Sequence, residues 1–187
     1  MDKKFDIKYT LRIAGVLLII CAVCAALLGT VNHLTKDKIA SNTLARMNES
    51  ISLIFGDGIS TEEVTDRDFD GTVKHVFFVR DPDGNALGYA VNAVPTGFKA
   101  DIEMMVGVTL AGKCKSVEII SMSETPGVGT KVGEKAFLDQ YHNAHGELVL
   151  KENIDAVSGA TISSRAVNLA VNESLSAVGG IINETES

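Results

Sequence analysis

Residues 73–93 read VKHVFFVRDPDGNALGYAVNA. Val73, His75, Phe77 and Val79 alternate along one side, Asp81-Pro82-Asp83-Gly84 carries turn chemistry, and Leu87, Tyr89, Val91 and Ala93 alternate again. Because strand side chains point to opposite faces with a period of two, this stretch predicts an antiparallel hairpin. Downstream, Ile102 to Leu110 and Val117 to Met122 form a second pair joined across Ala111-Gly112-Lys113. A glycine-rich loop (124–133), a short helix (134–143) and a strand-like ELVL (147–150) follow. From about residue 160 to 178, Ile162, Ala166, Val167, Ala170, Val171, Ser174 and Val178 form a small-to-apolar stripe that predicts a helix stopped by Gly179-Gly180. Upstream, Ile39, Leu44, Met47, Ile51 and Ile54 recur at helical spacing, and GDGISTEEVTDRDFDGT (56–72) reads as a loop. The fold class expected is α+β, an antiparallel sheet with flanking helices.

Further towards the N-terminus, IAGVLLIICAVCAALLG (13–29) contains no charge, and none appears before Lys36. At ~1.5 Å per residue this run spans roughly 26 Å, close to a bilayer's apolar core. It predicts one transmembrane helix, and Leu27-Leu28-Gly29-Thr30 offers no clean small-x-small site for cleavage as a signal peptide. Lys3, Lys4, Lys8 and Arg12 precede the run, whereas Lys36, Lys38 and Arg46 follow it shortly after. This bias places the N-terminus in the cytoplasm and the large domain outside. The organisation expected is a cytoplasmic tail (1–12), a transmembrane helix (13–35), a connecting helix and loop (36–72) and a folded domain (73–187). Cys21 and Cys24 lie within the apolar run, where thiolate redox chemistry has no water, and read as small packing residues.

The 187 residues suit one domain plus an appendage, and 45% apolar with 22% charged residues marks a folding chain. Beyond residue 35 there are 13 basic and 22 acidic side chains, a balance that repels phosphate backbones and argues against nucleic acid as a partner. GxSxG and GxxxxGK[ST] do not occur, and the four histidines are scattered. Neither a catalytic constellation nor a metal site is expected.

Two segments carry possible chemistry. Asp155-Ala-Val-Ser158-Gly159-Ala160-Thr161-Ile-Ser163 enters the last helix; with Ser158 as N-cap, Thr161 lies in the first turn, where unpaired amides favour an anion such as a phosphoryl group. In Glu124-Thr125-Pro126-Gly127-Val128-Gly129-Thr130-Lys131, the proline fixes one φ and the glycines let a flat ligand approach the backbone. Taken singly, the first is also an ordinary helix start and the second an ordinary surface turn.

Together, ETPGVGTK followed about thirty residues later by D-x-x-SGAT-x-S resembles the FMN-binding domain family, in particular the G subunit of the Rnf electron-transport complex and the related C subunit of Na+-translocating NADH:quinone reductase. The resemblance covers the whole chain, including the single span. It implies FMN linked covalently through its phosphate to Thr161 by a flavin transferase. It further implies that Asp155, Ser158, Gly159, Ala160 and Ser163 belong to the transferase's recognition motif, and that Glu124, Thr125, Gly127 and Gly129 lie against the flavin. Val128 stands where that family commonly has Leu. The function implied is electron transfer within a ferredoxin:NAD+ oxidoreductase coupled to Na+ or H+ movement, with the complex's other membrane and peripheral subunits as partners. The alternatives are a stand-alone extracytoplasmic flavin shuttle and a non-redox anchored binding module.

Overall fold

The computed structural model describes residues 7–185; the first six residues of the predicted tail lie outside them. The chain divides into two compact units, Met1–Ala45 and Arg46–Ser187. Helix α1 runs Ile7–Phe55. Its segment Leu11–Asn32 has a mean hydropathy of 2.7, and none of it is buried inside the protein. Those 22 residues extend about 33 Å, long and apolar enough to cross a bilayer.

The second unit is built on five antiparallel strands in sequence order: β1 (Ser60–Glu63), β2 (Val73–Arg80), β3 (Ala86–Ala93), β4 (Ile102–Thr109) and β5 (Cys114–Met122). The two hairpins form as the alternation predicts. β1 lies within the stretch read as a loop; Ser-Thr-Glu-Glu has no apolar face to announce it, and it exists because it pairs with Phe77–Arg80 at the sheet edge. In β2 the alternation is broken by a bulge. Val73 pairs with Ala93 and His75 with Asn92, so Val73 and Val76 face one side of the sheet and Val79 the other.

Both sheet faces are therefore covered. On one, helix α3 (Thr161–Thr185) packs Ala166, Val167, Ala170, Val171 and Val178 into a cluster with Val91, Met104, Val106 and Val117. On the other, Met47, Ile51 and Ile54 from the last turns of α1 cluster with Val79, Ala90 and Met105. Gly107 permits that contact, since a Cβ there would collide with the Ile54 side chain.

Helix α3 does not stop at Gly179-Gly180. Continuing through them buries Ile181 beside Val178. Burial of an aliphatic side chain, roughly 1.5–3 kcal/mol, offsets the ~1 kcal/mol that each glycine costs a helix. Between β5 and α3 the chain makes a 3-10 turn (Gly129–Gly133), a short helix α2 (Lys135–Leu138) and a second 3-10 turn (Asp139–Tyr141). The expected strand at 147–150 is not a strand. Leu148 is tied to α3 by the Asn168 and Asn172 side chains, and only Leu150 makes a bridge, to Ile154.

Candidate functional site

Two backbone reversals bring the sequence motifs face to face. In the first, Gly127 takes φ +73°, and its N–H donates to Thr130 Oγ1 at 3.0 Å. The amides of Val128 and Thr130 both donate to Thr125 O, each at 3.2 Å, and close the loop into the 3-10 turn. In the second, Gly159 takes φ +78° just before α3.

The helix entry differs from the expected cap. Thr161 is the first helical residue, and Ser158 is exposed rather than capping. Ser164 does the fastening: its hydroxyl accepts from the Val157 N–H at 3.0 Å and donates to Ala160 O at 2.9 Å. The Thr161, Ile162 and Ser163 amides thus stand in the first turn, at the positive end of the helix dipole, with the Thr161 side chain exposed beside them.

Glu124 joins the loop to this helix turn. Its residue is only 4% exposed. Oε2 accepts from Ser163 Oγ at 2.9 Å, and Oε1 accepts from the Lys99 N–H at 3.1 Å. Burial pushes the carboxyl upward, but donation by the amides of Lys99, Ala100 and Phe98 and by Ser163 outweighs it, and the group is held below its ordinary value. Two glycines leave room for this carboxylate. A Cβ on Gly97 would strike it, and one on Gly129 would lie 2.6 Å from Oε2.

The result is a cavity of about 440 Å³ lined by Phe98, Glu124, Thr125, Val128, Gly129, Gly159, Ala160, Thr161, Ile162 and Ser163. Its volume lies inside the roughly 300–1,000 Å³ range of small-molecule sites. Seven of the ten residues singled out from the sequence line it. Asp155, Ser158 and Gly127 do not: Asp155 is exposed and bonds Gln140 through its backbone, while Gly127 shapes the loop from outside the wall.

Sequence reading missed Phe98, which reaches the rim from the turn between β3 and β4. An aromatic residue flanked by Gly97 and Lys99 in a connecting segment was the available signal. Ile162, which the periodicity assigns to the packing stripe, is half exposed at the rim.

Residues 97–176 match the model of the FMN-binding domain, a span that begins at the glycine making room for Glu124 and contains the whole cavity lining. Residues 1–53 match the model of the RnfG N-terminal region. The G subunit of the ion-translocating oxidoreductase complex of Haemophilus influenzae is 31% identical over 180 residues, covering 86% of each chain. This chain belongs to that G-subunit family.

Two further members align at 26% identity. One is the G subunit of the proton-translocating ferredoxin:NAD(+) oxidoreductase complex of Clostridium ljungdahlii, covering 95% of this chain and 96% of that one. The other is the G subunit of the Na(+)-translocating ferredoxin:NAD(+) oxidoreductase complex of Acetobacterium woodii, covering 92% and 93%. Among solved structures, NqrC from Shewanella oneidensis shares the fold, with a TM-score of 0.50 at 22% identity, covering 74% of this chain and 91% of that one.

Proposed function

We propose that this family member is a membrane-anchored flavoprotein subunit that passes electrons through FMN esterified by its phosphate to Thr161. It acts within an Rnf-type ferredoxin:NAD+ oxidoreductase coupled to Na+ or H+ movement. The observation that carries the covalent reading is the charge of the cavity wall. Among the described residues, the ten that line it include no Lys or Arg and one carboxylate, Glu124. A freely bound phosphate with two negative charges has no cationic partner there. A phosphodiester on Thr161 carries one charge, sits at the helix start where the first-turn amides face it, and needs no intrinsic affinity to stay in place.

The remaining lining suits a flat apolar ring. Phe98, Val128 and Ile162 present apolar surface at the rim, and Gly129 and Gly159 let the ring approach backbone. When bound, the flavin supplies both one-electron and two-electron redox chemistry. The protein positions it, excludes part of its surface from water and sets its electrostatic surroundings. No substrate pocket of its own is required. Under this proposal the N-terminus is cytoplasmic and the domain extracytoplasmic, following the basic bias before the span. A flavin transferase reaches Thr161 because that side chain is exposed.

The test is coexpression with a flavin transferase, followed by intact-mass measurement and in-gel fluorescence after denaturation. The wild-type chain gains the mass of one FMN phosphoester and fluoresces, whereas Thr161→Ala does neither. Denaturant-resistant flavin on Thr161→Ala would falsify the assignment of that residue.

A further inference from the structure

We propose that Glu124 is a fixed negative charge that lowers the reduction potential of the flavin held in this cavity. The inference rests on the flavin reading above and concerns what the wall does to the cofactor rather than how the cofactor is attached. Three observations carry it.

First, Glu124 is part of the cavity wall and at the same time almost fully removed from solvent. Second, the hydrogen-bond donors that hold it are neutral: the Lys99 amide at 3.1 Å and the Ser163 hydroxyl at 2.9 Å, with the Ala100 and Phe98 amides behind them. Among the described residues, no Lys, Arg or His makes an ion pair with it. Neutral donors stabilise a carboxylate without cancelling its charge, so a full unit of negative charge remains. Third, the site is built to keep the group there, since Gly97 and Gly129 lack the Cβ atoms that would displace it.

An uncompensated buried charge acts through a low dielectric and is screened little by salt. Adding an electron to a neighbouring ring against that field is disfavoured, and the oxidised form gains relative to the reduced one. A surface carboxylate exerts no comparable effect, because water and ions screen it. Glu124 is thus a positioning residue for the loop and an electrostatic element for the cofactor, and the two roles separate experimentally.

The experiment uses the full chain carrying covalent flavin, titrated in a mediated spectroelectrochemical cell at pH 7, in low and in high salt. In Glu124→Gln, the ratio of reduced to oxidised flavin at the wild-type midpoint rises about tenfold, equivalent to ~30 mV for a two-electron couple. The rise persists in high salt. Glu124→Asp loosens the same clasp but retains the charge, and its potential does not rise; the exposed Glu152→Gln matches wild type. A second measurement covers the case in which Glu124→Gln does not fold: as pH falls below 4.5 and the Glu124 carboxylate is neutralised, the wild-type potential climbs above the line set by the flavin's own protons. A wild-type potential in Glu124→Gln, or an equal rise in Glu124→Asp, overturns the proposal while leaving the flavin linkage intact. If Glu124→Gln does not fold, a wild-type potential that stays on that line does the same. A wild-type chain without flavin on Thr161 removes the underlying reading as well.

Discussion

At the rim of the cavity Thr161, Ile162, Val128 and Phe98 are exposed; two residues beyond Thr161, on the same helix turn, Ser163 is buried against Glu124. Rim and floor come from the same two sequence motifs, yet they answer to different physics. A rim side chain can be changed with little loss of packing, because water already covers part of it. A floor side chain cannot, because its polar atoms have no solvent to fall back on. One short motif, SGAT-x-S, therefore combines an exposed threonine with a buried clasp.

The sharpest way to break this distinction is to truncate one residue from each layer. Glu124→Ala removes the acceptor for the Ser163 hydroxyl and the Lys99 amide, and a cost of about 2–4 kcal/mol is expected in denaturant unfolding of the detergent-solubilised chain. Thr161→Ala removes an exposed hydroxyl at a helix start and costs at most ~1 kcal/mol by the same measurement. Equal losses would show that the two layers are not distinct.

Acid sharpens the same contrast. The Glu124 carboxyl is held below its ordinary value of 4.5, so the folded state binds fewer protons than the unfolded state in the range just beneath that value. Its contribution to stability is present above pH 4.5 and is lost as pH falls through the folded value. Between pH 4.5 and lower pH, wild-type stability is expected to fall more steeply than that of Glu124→Gln. Parallel curves would mean the carboxylate is not held in its charged form by the clasp.

Glycines separate the layers again, with smaller effects. Gly129→Ala drives a methyl to 2.6 Å from Glu124 Oε2 and 2.9 Å from its Cβ, and about 1–3 kcal/mol is expected from the displacement. Gly127→Ala meets nothing within 4 Å, so only the left-handed backbone is penalised, by roughly 1 kcal/mol. A larger loss at Gly127 than at Gly129, read from thermal melts, would place the tight packing in the wrong half of the loop.

What the sequence made legible follows from the range of each signal. The hairpins, the long apolar run and the helix after SGAT rest on local periodicity, and each formed. Sheet-edge pairing of Ser60–Glu63, the bulge that turns Val79 to the second face, and the persistence of α3 through Gly179-Gly180 each depend on a distant partner. Local propensity is silent on such partners. The site shows the same division. The place of Thr161 at a helix start was legible from its motif, but the link from Glu124 to Ser163 spans 39 residues. Phe98 reaches the rim from a turn with no motif of its own. Ser158 reads as the cap from spacing alone, whereas Ser164, downstream, reaches back to do that work.

The smallest expected effect tests the rim most directly. Phe98 is 66% exposed although it lines the cavity, so little of its surface is lost from packing when it is truncated. Phe98→Ala is expected to change stability by no more than about 0.5 kcal/mol, as for other exposed positions. On flavin-loaded protein, however, removing that ring opens one side of the cavity, and quenching of flavin fluorescence by a soluble ion should become more efficient. A stability loss approaching that of Glu124→Ala would put Phe98 in the floor. Unchanged quenching with unchanged stability would mean its ring shields solvent rather than cofactor, and the rim would then consist of Val128, Thr161 and Ile162 alone.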